Sequence, residues 1–169
     1  MAHRERVLEN PVSGERITFR ETAADTRGEL LAFDLDLTPD GQVPAKHVHP
    51  IQEERFEVVY GTMRFWKRRR TDVAGAGEVV VVPPGTPHKF ENAGDEPAHV
   101  RVEVRPALRM ERLFETAIGL AREGRTNRRG LPKPLDLALF AREFEHEVRA
   151  PFPPRGVLPG SSPAAWVAA

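Results

Sequence analysis

Cysteine is absent from the sequence, and its absence excludes disulfides, thiolate chemistry and zinc sites built from cysteine. Net charge is absent as well, because 25 lysines and arginines balance 25 aspartates and glutamates. A neutral chain has no overall attraction to a phosphate backbone. We therefore expect no nucleic-acid partner.

Long apolar runs are also missing. No run approaches the roughly 20 residues that a helix needs to span a bilayer, and residues 1–10 are too charged to act as a secretory signal. These features predict a protein with no membrane contact and a cytoplasmic location. The length of 169 residues suits one domain with a substantial core.

Alternating apolar and polar residues predict the strands. From residue 29 to residue 38, apolar side chains recur at alternate positions, which puts them on one sheet face and the carboxylates of Asp34 and Asp36 in water. Ile17–Glu21 alternates over a shorter length, and we interpret it as an edge strand. Further strands are predicted at residues 55–60, 62–66, 78–82, 89–92 and 100–105.

The pattern also predicts how some of these segments are buried. Phe56 shares its parity with Val58 and Tyr60, so all three are expected to face inward. The β-branched run at residues 78–82 is typical of a strand buried on both faces. Residues 72–77 are predicted to form a loop.

After Pro106, apolar residues recur every three or four positions instead of every two. One helical stripe runs through residues 110–121, with Gly124 as a suitable stop, and a second runs through residues 137–148. These apolar helix faces are expected to cover the outside of the strands or a partner subunit. The pattern of many short strands without intervening helices favours an antiparallel barrel or jelly roll.

Two segments of the strand region have a distinctive spacing of glycine, histidine and proline. Residues 41–61 read GQVPAKHVHPIQEERFEVVYG, and residues 77–92 read GEVVVVPPGTPHKFEN. They resemble the two signature motifs of the cupin superfamily, in which a small β-barrel holds a metal in its interior. The resemblance implies an all-β fold, an antiparallel cupin or jelly-roll β-barrel in residues 1–106. The helical period adds an extension with two α-helices in residues 107–150, and the prolines and small residues of residues 151–169 predict an irregular tail.

Parity selects the side chains of the two motifs that face the interior. His47 and His49 are two residues apart, so on a strand both imidazoles project from one face. Glu54 shares the parity of the apolar residues that follow it, whereas Glu53 points to water. His88 also has inward parity. The resemblance implies the same ligand set: His47, His49, Glu54 and His88.

Three imidazoles and one carboxylate suit one divalent transition metal ion, which is Fe, Mn, Ni, Co, Cu or Zn, and ligand type alone does not choose among these. Burying the four groups without a metal would be costly, since each needs a partner. The remaining histidines are expected outside the site, at the surface or near the start of the chain: His3, His99 and His146. Asn92 is interpreted as a turn or strand-end residue.

The resemblance extends to small quercetinase-like dioxygenases. It implies that the metal binds a deprotonated hydroxyl or enol of a small-molecule substrate and brings dioxygen to it. Glu54 would then be both a ligand and the catalytic proton acceptor. An apolar wall for an aromatic substrate is predicted from five side chains: Phe56, Val58, Met63, Phe65 and Phe90.

Two other functions stay open, because this fold family hosts unrelated activities. One is a metal-dependent isomerase or lyase in which the metal polarises a carbonyl. The other is a non-catalytic module that binds a small ligand. A homodimer is expected from the resemblance, with Ile17 and Phe19 or the C-terminal helices as contact surfaces.

Overall fold

The computed structural model describes residues 6–151. This part of the chain contains nine strands followed by two helices. The strands are β1 (Val7–Glu9), β2 (Glu15–Glu21), β3 (Leu31–Leu37), β4 (Glu53–Tyr60), β5 (Thr62–Lys67), β6 (Arg70–Gly75), β7 (Val79–Val82), β8 (His88–Asn92) and β9 (Ala98–Arg105), and the helices are α1 (Met110–Arg122) and α2 (Pro134–Glu143).

The strands form two antiparallel sheets. One sheet has six strands in the order β1-β2-β3-β9-β4-β7, and the other has three in the order β6-β5-β8. Residues 42–47 run beside β8 through isolated bridges, one of which pairs His47 with His88. The mostly-β fold with two C-terminal helices is therefore confirmed, whereas closure of the sheets into a continuous barrel stays a prediction.

The core contains the inward faces of both sheets. The ring of Phe56 on β4 lies 5.1 Å from that of Phe65 on β5 and 5.2 Å from that of Phe90 on β8, measured between centroids. Alternation in β3 and β9 is confirmed, because every second residue of each strand is buried from Leu31 and Ala98 onward. The predicted strands thus supply the apolar contacts that hold the two sheets together.

Two strands are missing from the sequence prediction. Ile17–Glu21 is not an edge strand, because β1 covers β2 through pairs such as Val7 with Thr18. Residues 72–77 are not all loop, because β6 pairs with β5 along its length. Both added strands are short or polar, so neither shows an alternation that sequence inspection detects.

Three predictions of burial are wrong. Val79 and Val81 are 45% and 40% exposed, because their side chains project from the outward face of β7, which the described residues leave at the surface. Tyr60 is half exposed, because the register shifts between Val58 and Tyr60 where β4 pairs with β9. Asp34 is only 6% exposed instead of lying in water, and the guanidinium of Arg20 donates to it at 2.6 Å.

The two helices pack onto the inward side of the six-stranded sheet. Helix α1 begins and ends as predicted, and Gly124 follows it with a φ of 67°. The ring of Phe114 on α1 lies 5.2 Å from that of Phe33, an inward residue of β3. Helix α2 ends at Glu143, earlier than its apolar stripe predicts. The helices therefore extend the core and do not cover the outside of the strands.

Neither helix within residues 6–151 combines the length and apolar character needed to cross a bilayer. His3 and all of the predicted tail beyond Pro151 lie outside the described residues.

Candidate metal centre

The structure brings the four predicted ligands together. His47 and His49 precede β4, Glu54 lies in β4 and His88 begins β8, and their ligand atoms all lie within 4.8 Å of one another. All four side chains are buried. Glu54 is 4% exposed whereas Glu53 is exposed to solvent, as strand parity predicts.

Backbone carbonyls fix the orientation of the three imidazoles. The Nδ1 atom of His47 lies 3.0 Å from the carbonyl oxygen of Ala45, and that of His88 lies 2.9 Å from the oxygen of Thr86. The Nδ1 atom of His49 lies 2.6 Å from the carbonyl oxygen of Glu147. A carbonyl accepts but cannot donate, so each Nδ1 carries the hydrogen and each neutral ring presents an Nε2 lone pair. The three rings are thus prepared to bind a metal through Nε2.

Glu54 completes the cluster. Its Oε1 atom lies 3.4 Å from Nε2 of His49, and its Oε2 atom lies 2.7 Å from Nε2 of His88. The Oε2 atom of Glu54 and the Nε2 atom of His88 are both buried, and neither has a hydrogen-bond partner within the described residues. While His88 is neutral, the lone pairs of these two atoms face each other at 2.7 Å, an arrangement that a cation between them relieves, whether a metal ion or a proton on Nε2. These orphaned atoms and the donor set fit a divalent metal ion.

The electrostatics of the cluster agree with this fit. Burial raises the pKa of Glu54, but the three imidazoles outweigh burial and bring the pKa down to about 2. Burial and the neighbouring imidazoles hold the pKa of His47 well below its usual value. Burial lowers the pKa of His88, yet the adjacent Glu54 carboxylate raises it overall. At neutral pH the cluster therefore offers an ionised carboxylate and a neutral His47, the states that metal binding requires.

A cavity of about 140 Å³ adjoins the cluster and reaches His47, His49 and Glu54. Its walls come from the strands and from both helices, and most of the lining side chains are apolar. Among the predicted substrate contacts, Phe56 and Phe90 line this cavity. The other three lie in the core between the sheets and do not line it: Val58, Met63 and Phe65.

Glu147 is a residue of the site that the sequence interpretation missed. Its carbonyl orients His49, and its carboxylate is 2% exposed. The backbone N–H and the Nε–H of Arg109 both donate to this carboxylate at 3.2 Å. Glu147 lies three residues after Phe144, in register with the apolar stripe, and a glutamate at such a position signals a buried, partnered carboxylate.

Arg109→Met is expected to weaken metal binding. Without the guanidinium the Glu147 carboxylate is buried beside no cation, so the segment that holds His49 shifts. Loss of a hydrogen-bond partner of a metal ligand typically lowers metal affinity about 10- to 100-fold. Arg109 acts on His49 only through Glu147, so we expect an effect at the lower end of this range in competition with a chromophoric chelator.

Arg112→Met is the matched control, because Arg112 lies in α1 and contacts Glu143 at 3.5 Å without reaching Glu147. Equal affinities of the two variants would show that the Arg109 contact does not support the metal centre.

Glu15 is a second residue that the interpretation missed. It begins β2, lines the cavity and shares inward parity with Ile17 and Phe19, a parity that the sequence already shows. Burial raises the pKa of Glu15 from 4.5 to about 7, against a smaller lowering by the Ser13 hydroxyl. A carboxyl group that is partly protonated at neutral pH thus lies in the same cavity as the cluster.

Glu15→Gln is expected to change the pH dependence of stability. Between pH 4.5 and about 7 the folded protein keeps a proton on Glu15 that the unfolded chain has released, so stability falls as pH rises through this window. Within this window, the difference in free energy of unfolding between the variant and the wild type should shift in favour of the variant by up to about 1.4 kcal/mol for each pH unit. Urea unfolding across the window measures the difference, and Glu21→Gln, at the exposed end of the same strand, should show none.

The other polar residues lie away from the cluster. His99 is half-buried on the outward sheet face, where its Nδ1 atom lies 2.7 Å from Asp36 and its ring stacks on Tyr60. His146 is exposed. Asn92 ends β8, and its amide donates to three backbone carbonyls, including that of Glu96 at 2.8 Å, which agrees with a strand-end role.

The sequence of the strand region matches one known family. A family model described as a cupin domain matches residues 33–104, a range that contains all four clustered residues. No curated protein gives a match to the chain.

Comparison with solved structures concerns the fold. A Klebsiella pneumoniae protein with a double-stranded β-helix domain is similar at 20% identity and a TM-score of 0.51, over 60% of this chain and 85% of its own. A Silicibacter pomeroyi sugar phosphate isomerase from a cupin superfamily is similar at 17% identity and a TM-score of 0.53, over 60% and 71%. Bacillus subtilis oxalate decarboxylase is similar at 23% identity and a TM-score of 0.50, over 60% of this chain and 27% of its own chain. Identities this low indicate a shared fold and leave the activity open.

Proposed function

Because residues 33–104 match a cupin-domain family model, we propose that the chain is a metal-dependent oxidoreductase of dioxygenase type. The proposed substrate is a small, largely apolar molecule that carries a hydroxyl or enol. The observation that carries this proposal is the adjacency of two features: a buried cluster of three imidazoles and a carboxylate, and an apolar cavity that reaches the cluster.

The proposed roles follow from the geometry. His47, His49 and His88 would hold the metal through Nε2, since their Nδ1 atoms are bonded to carbonyls. A divalent transition metal bound there would supply Lewis acidity toward a substrate oxygen and redox chemistry toward dioxygen. Glu54 has a low pKa, so it acts first as a ligand and accepts a proton only from a strongly acidified hydroxyl. Phe56 and Phe90 would exclude water from the reacting group.

The cavity favours this substrate class over the anionic substrates of two structural neighbours. No lysine or arginine of the described residues lines it, so a phosphate or a second carboxylate would be desolvated without a cationic side chain beside it. An apolar ring or chain loses no such contacts. Isomerase or lyase chemistry on a sugar phosphate is therefore the less favoured alternative.

Elemental analysis of the purified protein is the first test, and about one transition metal per chain is expected. Dioxygen uptake by metal-loaded protein with a panel of flavonols, catechols and diketones is the second. Uptake that disappears in Glu54→Ala would support the proposal. A compound from the panel that raises the melting temperature without dioxygen uptake would instead identify a non-catalytic binding module.

A further inference from the structure

Glu15 lines the cavity beside Asn10, whose backbone N–H donates to the Glu15 carbonyl at 2.8 Å, and the proposed chemistry does not use the Glu15 carboxyl group. Among the polar residues that line the cavity, Asn10 is engaged through its Oδ1, which accepts the backbone N–H groups of Val12 and Ser13 at 3.0 and 3.2 Å. Glu15 is therefore the ionisable side chain that lines the cavity outside the metal cluster.

The carboxyl group of Glu15 has few hydrogen-bond partners within the described residues. The hydroxyl of Ser13 donates to its Oε2 at 2.5 Å, and its Oε1 has no hydrogen-bond partner in residues 6–151. No ion pair joins Glu15 to a lysine, arginine or histidine in that part of the chain. Glu15 is partly buried, and the partial loss of water around a carboxylate that has no cation beside it is unfavourable, which agrees with its raised pKa. A ligand with a donor group would satisfy the free oxygen.

The strand register places Glu15 far from the metal centre along the sheet. Glu15 pairs with Leu37 at one end of β3. Glu54 pairs with Val104, which pairs with Leu31 at the other end of β3. The cavity that both glutamates line is thus polar toward its two ends and apolar between them.

We infer that Glu15 forms a second polar subsite, which binds an amine or hydroxyl at the end of the substrate remote from the metal. The ligand class is an elongated, mainly apolar molecule with a metal-binding oxygen at one end and a hydrogen-bond donor at the other. This inference rests on the proposed function, because the first end of the ligand is held by the metal.

Binding of hydroxamic acids to zinc-loaded protein tests the inference without any turnover, since Zn²⁺ has no redox chemistry. Alkyl hydroxamic acids of increasing chain length are compared with ω-amino hydroxamic acids of the same length, by calorimetry. At the chain length that reaches Glu15, the amine should raise affinity about 10- to 100-fold over the methyl compound, the range of a hydrogen bond to a charged group.

The variants separate the subsite from the metal centre. Glu15→Gln and Glu15→Leu should remove most of the amine preference while keeping the affinity for the plain alkyl compounds, and Glu21→Gln should keep both. The subsite alone would be overturned if no chain length showed a preference for the amine. It would also be overturned if the preference persisted in Glu15→Leu. Failure of every plain compound to bind would overturn the proposed metal site, and the subsite with it.

Discussion

His88→Ala is expected to lower metal affinity by at least about 100-fold. His88 is fully buried, and its Nε2 lies 2.7 Å from Glu54 Oε2 at the centre of the cluster. Loss of a residue that merely orients a ligand already lowers affinity about 10- to 100-fold, and loss of the ligand itself removes a direct bond. Metal content after dialysis and competition with a chromophoric chelator measure the change.

His99→Ala is the matched control, since it also removes an imidazole but from the outward sheet face. The Nδ1 atom of His99 is engaged by Asp36, so its loss should leave metal content unchanged. If both variants retain the same metal content as wild type, the inward assignment of His88 as a ligand is wrong. Circular dichroism verifies that both variants fold.

Removal of the metal by a chelator is expected to lower the melting temperature by about 8–16 °C. A ligand at roughly 1,000 times its dissociation constant stabilises the folded state by about 4.1 kcal/mol, and each kcal/mol shifts the melting temperature of a domain of this size by about 2–4 °C. The physical source is the cluster itself, where the facing atoms of His88 and Glu54 have no partner without a cation.

Glu54→Gln distinguishes this effect from general destabilisation by the chelator. The variant removes the negative charge that attracts the ion, and the amide nitrogen is no ligand, so its melting temperature should respond much less to the chelator. A wild-type melting temperature that does not move on chelation, in protein shown to contain metal beforehand, would contradict a metal-stabilised fold.

The placement of the four cluster residues could be predicted from the sequence because the information is local. His47 and His49 are separated by one residue, and an extended backbone sends such neighbours to one side. Glu54 is distinguished from Glu53 by the apolar residues of its own strand. Strand parity requires no knowledge of the partner strand, so these inferences did not depend on the topology.

The errors share a different origin. Burial of Asp34 depends on Arg20, which lies on a neighbouring strand. Exposure of Val79 and Val81 depends on which segments pack against the outward face of β7, and that is decided by the fold as a whole. Parity describes the two faces of a strand but carries no information about what covers each face.

The sequence by itself determined the fold family, most strands, both helices and the residues that form the cluster, because hydrophobic period and motif spacing act within short stretches of chain. Only the tertiary structure decided what surrounds that cluster. The helices line the cavity, Glu147 orients His49 across 98 residues of chain, and Glu15 shares the cavity with Glu54. These contacts join segments distant in sequence, and packing of the whole core selects them.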